Sequence, residues 1–158
     1  MAMRIKPKVF GPITVLYGGD GELRYRGPGE DHGAASPGGT PVDILLASVG
    51  ACIAKSLKIA ADQRVKPLEP FAVDVTGTKA TDLPNRLGTI GIRVIGRLTD
   101  EAGLASEVIR HAKSICTVSN TLNCTFELEH DRSEEPGLSE HQERSKRASD
   151  GVGRASGA

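Results

Sequence analysis

Residues 40–64, TPVDILLASVGACIAKSLKIAADQR, constrain the fold more than any other part of the chain. The opening residues predict a helix start. Thr40 serves as N-cap, Pro41 suits the first helical position, and Asp43 completes a capping box while facing the positive end of the helix dipole. From residue 44 to 54 the stretch is apolar on nearly every side, and Lys55, Lys58 and Asp62 then mark a solvated stripe. A helix apolar all round at one end has protein on several sides of that end. Cys52 sits in the middle of this buried part, an odd place for a reactive group.

Other patterns supply a sheet for this helix to pack on. Residues 4–10 and 13–17 read as strands broken by Gly11-Pro12, and a Gly-rich turn at 18–21 joins the second to a strand at 22–26. A loop rich in Gly, Pro and Ser then delivers the chain to the helix. Alternation of Phe71, Val73 and Val75, and again of Ile90, Ile92 and Val94, predicts strands at 71–78 and 87–98. They form a hairpin with one buried and one wet face. Leu104, Val108, Ile109, Ala112 and Ile115 recur at helical spacing over 99–115. A break with a short turn follows at 116–122, and 124–129 is a last strand with Cys124, Phe126 and Leu128 on its inner face. The expected order is β-β-β-α-β-β-α-β, an α+β fold occupying residues 1–130. Residues 131–158, rich in Ser, Glu, Arg and Gly, are expected to form a disordered polar tail.

Composition removes several function classes. Lys plus Arg and Asp plus Glu number 20 each, which argues against charge-driven binding to nucleic acid or a membrane surface. No apolar leader opens the sequence, and the run at 44–54 is too short to span a bilayer. Three cysteines, an odd number, do not suggest a secreted disulfide framework. A cytoplasmic protein with reduced thiols is expected.

The cysteines differ in context. Cys124 alternates with Phe126 and Leu128 and reads as a small core hydrophobe, and Cys52 taken alone reads the same way. Cys116 lies where a helix meets a polar turn, and there backbone N–H groups favour the thiolate. No ligand pair has short zinc spacing, so no metal is expected. His111 stands about 140° around the helix from Cys116 and reads as a surface or interface residue.

Two blocks together carry a family resemblance. PVDILLASVGAC at 41–52, then a strand hairpin and an amphipathic helix, then CTVSNTL at 116–122 resemble the OsmC/Ohr family of hydroperoxide-reducing proteins over about residues 15–130. The resemblance implies a thiol-dependent peroxidase without metal or organic cofactor. Cys52 would be the peroxidatic cysteine, attacking an organic hydroperoxide to give a sulfenic acid, and Cys116 the resolving cysteine that closes a disulfide. A dithiol reductant would reset the pair by exchange. An arginine serves the peroxidatic sulfur in the family. Arg24, in LRYRG at 23–27, matches that context, and Arg26 shares its strand face. Both arginines read equally well as solvated charges. Asp43 would pair with the arginine, or act only as the helix cap. An interlocked homodimer with sites at the interface is also implied, and it would explain a helix apolar on every side.

Three positions depart from the family pattern. Val42 stands where catalytic members often carry Glu, Thr117 where Pro is common, and Asn120 where a basic residue is frequent. These changes resemble the broader OsmC-like group more than the Ohr enzymes. Two other readings are a non-catalytic binding protein for a hydrophobic small molecule and a redox sensor.

Overall fold

The computed structural model describes residues 6–19 and 21–133. A single five-stranded sheet carries the helices on one face. Its strands are β1 (Val9–Tyr17), β2 (Leu23–Arg26), β3 (Phe71–Lys79), β4 (Leu87–Ile95) and β5 (Thr125–Asp131), in spatial order β2-β1-β3-β4-β5. Neighbours are antiparallel except β4 and β5, which run parallel. The helices are α1 (Pro41–Asp62), α2 (Ala102–Ile115) and the short α3 (Thr117–Thr121). The α+β class, both hairpins and the long capped helix are as the sequence implies.

Two strands, not three, precede α1 among the described residues. Gly11-Pro12 does not end a strand but sits inside β1, where the register with β3 shifts between Phe10 and Ile13. Pairing of β1 with β2 begins only at Thr14, so at Pro12 the strand has a neighbour on one side alone. Proline, lacking an N–H, is tolerated at such an edge. The Gly11 backbone is left-handed, and an added Cβ would lie 2.7 Å from the Val75 carbonyl oxygen. The C-terminal boundary also moves. Asp131, expected to open the tail, is the last residue of β5 and pairs with Ile95. The expected tail from 134 to 158 lies outside the described residues.

Register decides which side chains meet the helices. Ile13, Val15, Tyr17, Phe71, Val73, Val75, Ile90, Ile92 and Val94 share one face and join the buried residues of α1 and α2 in a single core. The opposite face carries Leu16, Ala72 and Ile95 as a small separate cluster, with charged residues around it. At Gly50 the helix comes close to the sheet, since a Cβ there would lie 2.7 Å from Val15 Cγ2 and 3.1 Å from Val75 Cγ2. Helix α1 is long and apolar enough to cross a membrane by length and composition, a reach the run at 44–54 alone did not suggest. Within the protein it is a core helix, its residues Leu46, Ala47, Val49, Ile53, Ala54 and Leu57 buried against β1, β3 and α2.

Candidate active site

Helix α1 sets the position of the first sulfur. Its start is fixed by reciprocal hydrogen bonds: the Asp43 N–H donates to Thr40 Oγ1 at 3.3 Å, and the Thr40 N–H donates to Asp43 Oδ2 at 2.8 Å. The Thr40 hydroxyl donates to the same carboxylate at 2.8 Å. From this anchored end, Cys52 lies three turns along, half-buried at the border between the core face and an exposed stripe. That stripe includes Ile44 and Ile59, 46% and 49% exposed, with Ser48 and Lys55 between them. The helix is thus not covered on every side by its own chain.

The second sulfur is held where two helices meet. Cys116 caps the C-terminus of α2 and the N-terminus of α3, and it is fully buried. Its N–H donates to the Lys113 carbonyl at 3.4 Å, and its carbonyl accepts the Asn120 N–H at 3.0 Å. Packing of α3 on α1 brings this junction to Cys52, and the Cys52 side chain acts directly on the Cys116 thiol. Cys52 packs against the same buried core that contains Cys116. All three cysteines are free thiols.

Burial pushes the Cys116 thiol above its ordinary value, because a thiolate there would lose its hydration. Ser119 works in the opposite direction, and Cys52 adds to the upward shift. The sequence reading left Ser119 without a role. Its hydroxyl donates to the Cys116 carbonyl at 3.3 Å, three residues back along α3. Cys124 behaves as the small hydrophobe it was read to be, half-buried against the core. Burial raises its thiol, partly offset by the Lys113 ammonium.

The two charged candidates lie away from these sulfurs within one chain. Arg24 pairs with Leu16, on the sheet face opposite the helices, because Leu23 and Tyr25 take the core-facing positions of β2. Its side chain lies along Gly33, its guanidinium is 3.8 Å from Glu22, and its Nε is buried without a hydrogen-bond partner among the described residues. Asp43 serves the capping box, nine residues and so about 13 Å of helix axis before Cys52. The arginine that shares surroundings with Asp43 is Arg26. Both line a cavity of about 220 Å³ together with Tyr25, Glu30 and Ser36.

His111 proves to be a tie between helices. Arg64 Nη1 donates to its Nδ1 at 2.9 Å and to the Ala60 carbonyl at 2.8 Å, joining the end of α1 to α2. Among the described residues no group of His, Cys, Asp and Glu is arranged to hold a metal ion.

Comparison with known proteins points to one family. Residues 31–131 match the family described as OsmC-like protein. The chain is similar in structure to the organic hydroperoxide resistance protein OhrB of Bacillus subtilis, at 17% identity and a TM-score of 0.52, over 80% of this chain and 98% of that one. An OsmC-like protein from Mycoplasma pneumoniae aligns at 16% identity and a TM-score of 0.56, over 84% of this chain and all of that one. An organic hydroperoxide resistance protein OsmC from Legionella pneumophila gives 14% and 0.52, over 81% and 98%. These identities speak for a shared fold. No curated protein matches the sequence.

Proposed function

The chain belongs to the OsmC-like protein family, and from that premise we propose that it is a thiol-dependent peroxidase reducing organic hydroperoxides. The observation that carries this reading is the packing of α3 on α1, which sets enclosed Cys116 in the core against which half-buried Cys52 of α1 packs. In the first step the Cys52 thiolate attacks the outer oxygen of the hydroperoxide. The O–O bond breaks, an alkoxide leaves and takes a proton to become an alcohol, and Cys52 is left as a sulfenic acid. Cys116 then attacks that sulfur, releasing water and closing a disulfide. A dithiol reductant returns both sulfurs to thiols by two exchange steps.

A second copy of the chain completes the site in this reading. The exposed apolar residues Ile44 and Ile59 flank Cys52 along α1, and a homodimer formed there would cover them and exclude water from the sulfur. Arg24 and Asp43 do not approach Cys52 in their own chain, so charge stabilisation of the thiolate is assigned to groups brought across this interface. Free thiols suit work in the reducing cytoplasm.

The test is consumption of cumene hydroperoxide with a dithiol by wild type, Cys52→Ser and Cys116→Ser. Turnover by wild type alone, with loss of two thiols per peroxide in the absence of reductant, is the expected result. Consumption no faster than that of the serine variants, with all thiols retained, would instead identify a binding protein.

A further inference from the structure

Residues 64–66 turn the chain away from α1, and two polar contacts hold that corner to the neighbourhood of α2. Arg64 Nη1 donates to His111 Nδ1 at 2.9 Å, and the same nitrogen donates to the Ala60 carbonyl at 2.8 Å. Lys66 Nζ lies 3.7 Å from Glu101 Oε1, just before α2 begins. Between these two ties Val65 is left-handed, φ 55°, and 88% exposed. Val65 thus adds little packing, and the polar ties set where the corner sits.

Acid acts differently on the two ties. An ammonium–carboxylate pair keeps both charges between about pH 5 and pH 8, whereas histidine is the side chain that ordinarily gains its charge there. Arginine only donates, so the Arg64 bond needs a ring nitrogen with a free lone pair. A protonated ring has none, because both nitrogens then carry hydrogen, and two cations are left face to face. Arg64 can withdraw at little cost, since it keeps the Ala60 carbonyl.

The charged groups on the elements packed together here bear on the ring as follows. In its last three turns α1 carries Lys55, Lys58 and Asp62, and Lys58 pairs with Asp62 at 2.8 Å. On α2, Glu107 stands one turn before His111, Arg110 precedes it directly, and Lys113 lies over the Phe126 ring at 4.7 Å. Helix α3, Thr117–Thr121, carries no charged residue. Glu107 therefore favours the added proton and Arg64 opposes it, but neither restores the bond that the proton removes.

We propose that His111 is an acid-sensitive clasp, whose protonation at Nδ1 releases Arg64 and frees the end of α1 from α2 while the sheet stays folded. Five residues beyond His111 the helix ends at buried Cys116, so the loosening reaches the segment that encloses that sulfur. The clasp stands apart from the peroxidase reading, which uses neither Arg64 nor His111.

The experiment follows backbone hydrogen exchange of the full chain by mass spectrometry at about pH 7.5 and about pH 5, on either side of the ordinary histidine range, with labelling times scaled for the chemical rate. At the lower pH, α2 of wild type should lose protection about tenfold, the scale of one hydrogen bond to a charged group, while β1 and β3 keep theirs. Arg64→Ala should show the loosened α2 at both pH values. His111→Gln, whose carbonyl accepts but does not titrate, should hold it at both. Equal protection of wild-type α2 at the two pH values overturns the proposal, and so does the same acid loss in His111→Gln. A loss shared equally by β1 and β3 would assign the effect to the whole fold and overturn it as well. Should His111→Gln fail to fold, Arg64→Ala decides, since a further acid loss as large as that of wild type would remove the clasp as its cause.

Discussion

Cys52 and Cys116 have the same chemistry and opposite surroundings, and the difference assigns their order of action. In the proposed cycle the accessible sulfur would meet the peroxide and the enclosed one would react with its neighbour. Cys116→Ser should therefore permit a single turnover and then leave Cys52 as a sulfenic acid that proceeds to sulfinic acid under excess peroxide. Intact-mass measurement checks this, and unlimited turnover by that variant would remove Cys116 from the cycle. Both cysteines were easy to single out because each lies in a short motif. The arginine was not. Strand alternation places Arg24 and Arg26 on a common face, yet Leu23 and Tyr25 already occupy the core-facing positions, so that shared face turns away from the helices. The role of His111 was equally hidden, since its Arg64 contact joins residues 47 positions apart. Arginine can only donate, so His111 Nδ1 accepts and the ring carries its proton on Nε2.

Among the elements, α1 was readable to within two residues at either end because its start signals are local. Its stop signal is unusual. Lys66 N–H bonds the Ala61 carbonyl and Val65 N–H bonds the Asp62 carbonyl, a Schellman closure with Val65 at the left-handed position, φ 55°. A β-branched residue there is strained, and at 88% exposure Val65 gains little from packing. Val65→Gly should raise stability by about 1 kcal/mol in urea denaturation, and a loss would show that the strain is compensated. The parallel placement of β5 on β4 could not be read from sequence, because pairing partners 36 residues apart, such as Thr89 and Thr125, leave no local mark. Charge fixes that edge. Asp131 is lowered to about 2 by the Ser133 N–H first and the Arg93 guanidinium second. A carboxylate with a depressed folded value contributes stability above its ordinary 3.8 and loses it as pH falls toward about 2. The stability gap between wild type and Asp131→Asn should close over that window, and a gap independent of pH would remove the ionised form from the account.

At the scale of the whole molecule, the sheet covers one side of α1 and leaves the side bearing Ile44, Cys52 and Ile59 at the surface. Sequence alone showed a helix too apolar for one small domain, but not which stripe would be left over, because that depends on where β1 and β3 approach it. In the double variant Ile44→Glu with Ile59→Glu, light scattering should find a monomer where wild type is a dimer. A monomeric wild type would sink the shared-site reading. The contrast in thiol access has a use outside chemistry. An alkylating reagent should label Cys52 promptly and leave Cys116 untouched until the junction of α2 and α3 breathes open. Half-buried Cys124 can also react, so the delay before the Cys116 adduct, located by peptide mapping, would serve as a built-in clock for how often this small core loosens.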